Sequence, residues 1–266
     1  MTQIEGERLA WLDWMKTLAI YLIIAGHCLV PGYEYIYVFS VPAFFMMSGF
    51  LSKREKSYKE LCNKMWWNLI VPMIILFFIH LSYVSVLRLT NGTFEIDYVW
   101  KRMLGAVVGM QRPGLGVLWF VYTLVILKII LQIIPKKSEK WWLLIINMVF
   151  LSLAYLYNGL NLPYANSVID VLLAMPFFTM GYLLRPYKFA LNNCRIYVLP
   201  FVALLGLAII IICGHSNDIV YLYKCSYGSN MLLCLIGGIA GTAFIWSLSR
   251  MLERVLPRTI RLVGGV

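Results

Sequence analysis

Four residues near the N-terminus have types and spacings suited to chemistry: Arg8, Asp13, Lys16 and His27. Histidine transfers protons near neutral pH and can also act as a nucleophile. Lysine supplies a fixed positive charge for a phosphate or an oxyanion. Lys16 and His27 are eleven residues apart. At 3.6 residues per turn that is close to a whole number of turns, so both project from one helix face, about 16 Å apart along the axis. Asp13 lies one turn below Lys16 and can pair with it. Gly26 precedes His27 and leaves room for close approach of another group. One face therefore reads acid, base, then imidazole.

The element that must carry these groups is apolar. Thr17 to Val30 forms the body of a first span, and Pro31-Gly32 makes the turn that ends it. Asp13 interrupts the start of the run and no small-residue cleavage site follows, so it reads as a retained helix rather than a leader. A charge inside a span costs roughly 2.5–3.5 kcal/mol. Two plainer readings compete. Asp13 and Lys16 can snorkel to headgroups, and His27 can be a hydrogen-bonded packing residue. Their combination on one face of a charge-poor helix favours function. His80, in Phe78-Ile79-His80-Leu81, is the chief rival for proton transfer. His215 reads as an ordinary loop histidine.

Composition fixes the surroundings. Of 266 residues, 61% are hydrophobic and only 13% charged, with a mean hydropathy of +0.78. Soluble domains are about 45–50% apolar, and so few charges cannot cover a soluble surface. The expected fold class is all-α, a polytopic transmembrane bundle of about eight spans in one domain over 1–266. The apolar segments are 17–30, 38–51, 69–87, 115–134, 141–157, 168–184, 196–213 and 229–249. Several fall short of the ~20 residues that cross a bilayer comfortably. Helices are the expected state, because lipid offers no partner for backbone polar groups. The stretch from Arg88 to Gly114 mixes aromatic and charged residues, and reads as a partly ordered segment at the membrane surface.

The 23 Lys and Arg against 12 Asp and Glu would raise nucleic acid as a partner in a soluble chain. Here the basic excess reads as loop charge instead, with no nucleic-acid partner. With the N-terminus in the cytoplasm, the inner loops hold Lys53, Arg54, Lys56, Lys59, Lys64, Lys136, Lys137, Lys140, Arg185, Lys188, Arg195, Arg250, Arg254, Arg258 and Arg261. The outer loops hold only Arg88, Lys101, Arg102, Arg112 and Lys224. This asymmetry sets the expected orientation in the cytoplasmic membrane. Six cysteines show no metal-ligand spacing, and no metal is expected. Cys213 and Cys225 flank one outer loop, which is weak support for a disulfide.

At the first helix the sequence resembles the membrane acyltransferase-3 family. That family opens with Arg, four residues, Asp, two residues, Arg or Lys, then ten residues to Gly-His; here these are Arg8, Asp13, Lys16 and Gly26-His27. Lys16 stands where many members carry Arg, keeping the charge but losing the bidentate fork. The stretch Phe39 to Leu51, with Pro42 and the Ser48-Gly49-Phe50 ending, resembles the family's second element, and Lys53 and Arg54 follow it. Leu118-Trp119-Phe120 resembles its Trp-Phe-Leu element. Leu162-Pro163-Tyr164 through Asp170, then Pro176-Phe177-Phe178 and Gly181 to Arg185, is similar to the branch named for fucose 4-O-acetylase.

The resemblance implies transfer of an acyl group, usually acetyl, from cytoplasmic acetyl-CoA to a hydroxyl of a cell-surface glycan or sugar precursor. It implies His27 as general base or transient acyl carrier, with Arg8, Asp13 and Lys16 orienting it or holding the donor. Asp170, early in the sixth span, is either a capping carboxylate or a partner for a sugar hydroxyl or for Arg112. Trp119 either stacks on a sugar or adenine ring or belongs to the aromatic belt. The family has about ten helices. Arg258 to Val266 resembles the turn before the last two, so the resemblance implies a chain shortened at its C-terminus. A transporter or flippase of a lipid-linked sugar would also need buried polar groups, but would be expected to show repeated halves, and none are visible. An inactive truncated membrane protein is the third reading.

Overall fold

A computed structural model of the chain describes residues 9–110, 114 and 116–256. They form eleven α-helices: α1 (Ala10–His27), α2 (Tyr33–Leu51), α3 (Tyr58–Met65), α4 (Val71–Thr90), α5 (Ile96–Val107), α6 (Trp119–Ile133), α7 (Glu139–Gly159), α8 (Asp170–Leu184), α9 (Lys188–Asn192), α10 (Val198–Ser216) and α11 (Met231–Val255). Each of the eight apolar segments is helical, and no strand ladder occurs among the described residues. Among the described residues, five helical stretches are long and apolar enough to cross a membrane: 33–51, 58–90, 136–159, 198–216 and 231–255. The all-α membrane bundle is therefore the observed class. The segment 257–266, where the resemblance implied a turn before further spans, lies outside the described residues.

Boundaries differ from expectation where polar or aromatic residues lower the hydropathy. α2 starts at Tyr33 rather than near Val38. Its first turns carry Tyr33, Glu34, Tyr35 and Tyr37, which a hydropathy reading discards. Yet the Tyr37 hydroxyl donates to the Gly26 carbonyl at 3.0 Å, tying α2 to the end of α1. A π-helical turn at Trp66–Ile70 joins α3 to α4 without a break. Pro72 follows it, and a proline without an N–H is accommodated by a widened turn before it. The segment after Arg88 holds α5, which packs Val99, Met103 and Ala106 against Phe77 and Leu81 of α4. All six cysteines are free thiols, so the Cys213–Cys225 pairing does not form. Both are buried among other side chains, where a thiol serves as a small hydrophobe.

The chain divides into two compact units. One comprises 1–51, 177–221 and 227–266; the other comprises 52–176 and 222–226. In the first unit α1, α2, α10 and α11 pack on one another around Trp11, Met15, Ala19, Phe39, Met47 and Ile245. α11 presents Gly237, Gly238 and Gly241 to this core. A Cβ on Gly241 would lie 2.0 Å from the Cβ of Phe39. The closest approach joins α2 to the second half of α8. A Cβ on Gly49 would lie 1.9 Å from the Phe178 carbonyl oxygen, and one on Gly181 would lie 1.9 Å from that of Met46. Two backbones meet there with no side chain between them, as small residues allow in membrane helices.

In the second unit the segment after α2 is clamped to α6 and α7. Ser52 is buried and accepts from Lys128 Nζ at 3.0 Å. Gln132 and Glu55 exchange two hydrogen bonds: the Gln132 Nε2 donates to the Glu55 carbonyl at 3.0 Å and its Oε1 accepts from the Glu55 N–H at 3.1 Å. Arg54 reaches Glu139 at 3.1 Å and also donates to the Ile134 carbonyl.

The glycine crossing sets a test of this fold. Gly49→Ala and Gly181→Ala each force two backbones apart and should destabilise the protein by about 2 kcal/mol or more, in the range of overpacked cores. Gly159, where an added Cβ would meet nothing within 4 Å, should accept Ala with little change. Thermal unfolding of the three variants in detergent measures both; equal melting temperatures would refute the close crossing.

Candidate functional site

α1 runs unbroken from Ala10 to His27, so one helix carries Asp13, Lys16 and His27. Lys16 Nζ lies 3.4 Å from Asp13 Oδ1, the pairing its spacing predicted. The Lys16 side chain is 45% exposed and that of Asp13 only 14%. One face of α1 faces the core through Trp11, Met15, Ala19 and Gly26. The other leaves Lys16, Ile20, Ile24 and His27 exposed. Those four recur at helical spacing, so Lys16 and His27 share the outward stripe. Gly26 is needed beside His27: a Cβ there would lie 2.9 Å from the Tyr37 ring. The Tyr37 bond to its carbonyl then fixes the terminal turn that presents the imidazole. Arg8 lies outside the described residues.

Asp170 is fully buried at the first turn of α8. Its Oδ2 accepts from the Tyr164 hydroxyl at 2.9 Å, and its Oδ1 accepts from the Lys224 backbone N–H at 2.8 Å. Lys224 and Cys225 both have positive φ, at 79° and 55°. Their amides turn toward the carboxylate, a concave arrangement that suits an anion. Asn158 Nδ2 holds the same loop by donating to the Cys225 carbonyl at 2.7 Å. Burial, then the Asp170 charge, pushes the Tyr164 hydroxyl above its ordinary pKa, so it remains a donor to Asp170. Burial and the same charge push the Cys225 thiol up to about 12. Trp119 is buried and its ring lies 6.3 Å from that of Tyr223 in this loop. Asp170 and Trp119 thus meet on residues 222–226. Asp170 here accepts from a tyrosine and a loop amide, not from amides of its own helix, and Trp119 is buried, not at an exposed belt position. Arg112 lies outside the described residues.

His80 is exposed on α4. One ionisable group escaped the sequence reading. Lys128 is a lone charge within the apolar segment 115–134, half-buried on α6 and bonded to Ser52. The cost of charge in a span, applied to that helix as to the first, would have found it. No group of three His, Cys, Asp or Glu side chains suited to a metal occurs among the described residues.

These features define a class: a multi-span helical membrane protein in which one helix exposes Lys16 and His27 on a common stripe. Residues 9–263 match the model of the acyltransferase-3 family, described as an acyltransferase domain, and the chain belongs to that family. No curated protein matches the chain. No solved structure matches it either.

The Asp170 arrangement predicts its own mutants. Asp170→Ala leaves a buried amide and the Tyr164 hydroxyl without their acceptor and should cost about 2 kcal/mol or more. Tyr164→Phe removes one donor and should cost about 1 kcal/mol. Thermal unfolding, with limited proteolysis at 222–226, measures this. A wild-type melting temperature and cleavage pattern in Asp170→Ala would refute the clamp.

Proposed function

We propose that the chain is an O-acyltransferase of the fucose 4-O-acetylase-like branch, moving acetyl from cytoplasmic acetyl-CoA to a hydroxyl of a glycan or sugar precursor. The family membership over 9–263 carries the acyltransferase assignment. The exposed Lys16–His27 stripe on α1 supports the roles within it. Lys16, steadied by Asp13 and joined by Arg8, holds the anionic phosphates of the donor. The pantetheine arm lies along α1 and brings the thioester to His27. There the acceptor hydroxyl oxygen attacks the thioester carbonyl, and His27 takes its proton. The new C–O bond forms as the C–S bond breaks, and the proton passes to the leaving sulfur. An acyl group carried first on the imidazole would divide this into two displacements. Trp119, Asp170 and Arg112 belong to the acceptor side in this reading. Asp170 acts there by holding the 222–226 loop.

His27→Ala should lower acetyl transfer from radiolabelled acetyl-CoA to membrane glycan by about 10²–10⁴-fold, the usual worth of a positioned base. Insertion into the membrane should be unchanged. Lys16→Ala should raise KM for acetyl-CoA, with Lys16→Arg restoring it, and His80→Ala should leave the rate intact. Wild-type activity in His27→Ala would sink the assignment.

The direction of the reaction requires the N-terminus inside, which places Cys28 outside and Cys62 inside; both thiols are exposed. In single-cysteine variants of intact cells, a membrane-impermeant maleimide should label Cys28. It should reach Cys62 only after permeabilisation. The reverse pattern would invert the orientation.

A further inference from the structure

The first unit holds a half-open cavity of about 340 Å³ whose wall is apolar. Met15 of α1, Met46 of α2, Met180 and Leu184 of α8, Leu191 of α9 and Ala243 of α11 all line it. The hydroxyl of Thr242, also in the wall, is turned to the Gly238 carbonyl at 2.8 Å. Such a wall has nothing to offer a nucleotide, a sugar or the amides of a pantetheine arm. It suits hydrocarbon, and methionine adapts to a flexible chain. At roughly 30 Å³ per small group, the space takes on the order of ten methylenes.

Cations stand beside the wall in sequence. Arg185 follows Leu184, and Lys188 lies one turn before Leu191. Arg250 of α11 is buried and donates to the Asn192 carbonyl, which fixes α9 and its Lys188 to the bundle. In the orientation proposed above, both cations lie on the inner side. The cavity is at the Trp11–Met15 end of α1, and Trp11 is about 24 Å along the axis from His27. An acyl group seated there would be out of reach of that imidazole.

We propose that this cavity takes one acyl chain of an anionic inner-leaflet phospholipid, whose headgroup rests against Arg185 and Lys188. Basic clusters at the inner ends of membrane helices select anionic headgroups in this way. The site is separate from the acyl-transfer chemistry, so its test needs no activity.

The protein is reconstituted with equal phosphatidylglycerol and phosphatidylcholine, re-extracted in mild detergent and weighed intact by native mass spectrometry. The expected result is one retained phosphatidylglycerol per chain, at least tenfold over phosphatidylcholine. Ala243→Phe fills the cavity and should abolish retention with helical content unchanged. Arg185→Gln with Lys188→Gln alters only the rim, and should cut the preference for the anionic lipid at least fivefold. This second variant decides the matter if the first fails to fold. Equal retention of the two lipids overturns the proposal, as does unchanged retention in Ala243→Phe. Uptake of palmitoyl-CoA in place of phospholipid overturns it in favour of a donor pocket.

Discussion

The first unit depends on two backbones touching. Lipid tails are as apolar as leucine, so the bilayer gives helices little hydrophobic reason to associate. Attraction must come from close packing, and close packing needs surfaces without side chains. Gly49 on α2 and Gly181 on α8 meet that need at one crossing, each set against the other helix's carbonyl. Gly237, Gly238 and Gly241 of α11 make room instead for the side chains of Val38, Phe177 and Phe39. α2 is thereby gripped from two sides. Because α1 packs on α2 and α11, the helix bearing Asp13, Lys16 and His27 inherits its position from these contacts.

That inheritance explains why the ionisable groups need so little local support. A carboxylate, ammonium and imidazole at fixed heights on one helix require only that the helix be straight and its ends fixed. The bond from Tyr37 to the Gly26 carbonyl fixes one end. The buried Trp11, Leu12, Trp14 and Met15 fix the other. The second unit handles its polar groups differently. Lys128, Arg54 and Glu139 bond to partners far along the chain and serve to hold segments together. Lys16 and His27 of α1 are exposed, whereas these groups are engaged.

The helices were legible in the sequence because lipid removes the alternatives: an apolar segment in a bilayer must be helical. Lys16 and Asp13 were legible as a pair because three-residue spacing on a helix fixes their distance. What the sequence concealed was long-range. Nothing at Gly49 announces Gly181 as its neighbour, and nothing at Asp170 announces the Lys224 amide. The loop's positive φ values are held by tertiary contacts, not by glycine. The early start of α2 was hidden because tyrosines at a membrane edge score as polar while packing as apolar. Lys128 is legible by the same rule as the first helix, as a lone charge in an apolar segment.

The structure also sorts the stretches that carry the family resemblance by what they do. Ser48-Gly49-Phe50 and Gly181-Tyr182 face each other across the α2–α8 crossing, so their glycines are explained by packing. Pro163-Tyr164 and Asp170 are explained by a clamp on one loop, since the tyrosine hydroxyl bonds the carboxylate six residues on. Trp119 is explained by its contact with that same loop. After these assignments, Lys16 and His27 are left on an exposed stripe of α1. Gly26 beside His27 has a steric reason, in the Tyr37 ring. A helix that exposes a cation and an imidazole on one stripe, at the cost of charge within an apolar element, is the feature on which the proposed acyl transfer rests.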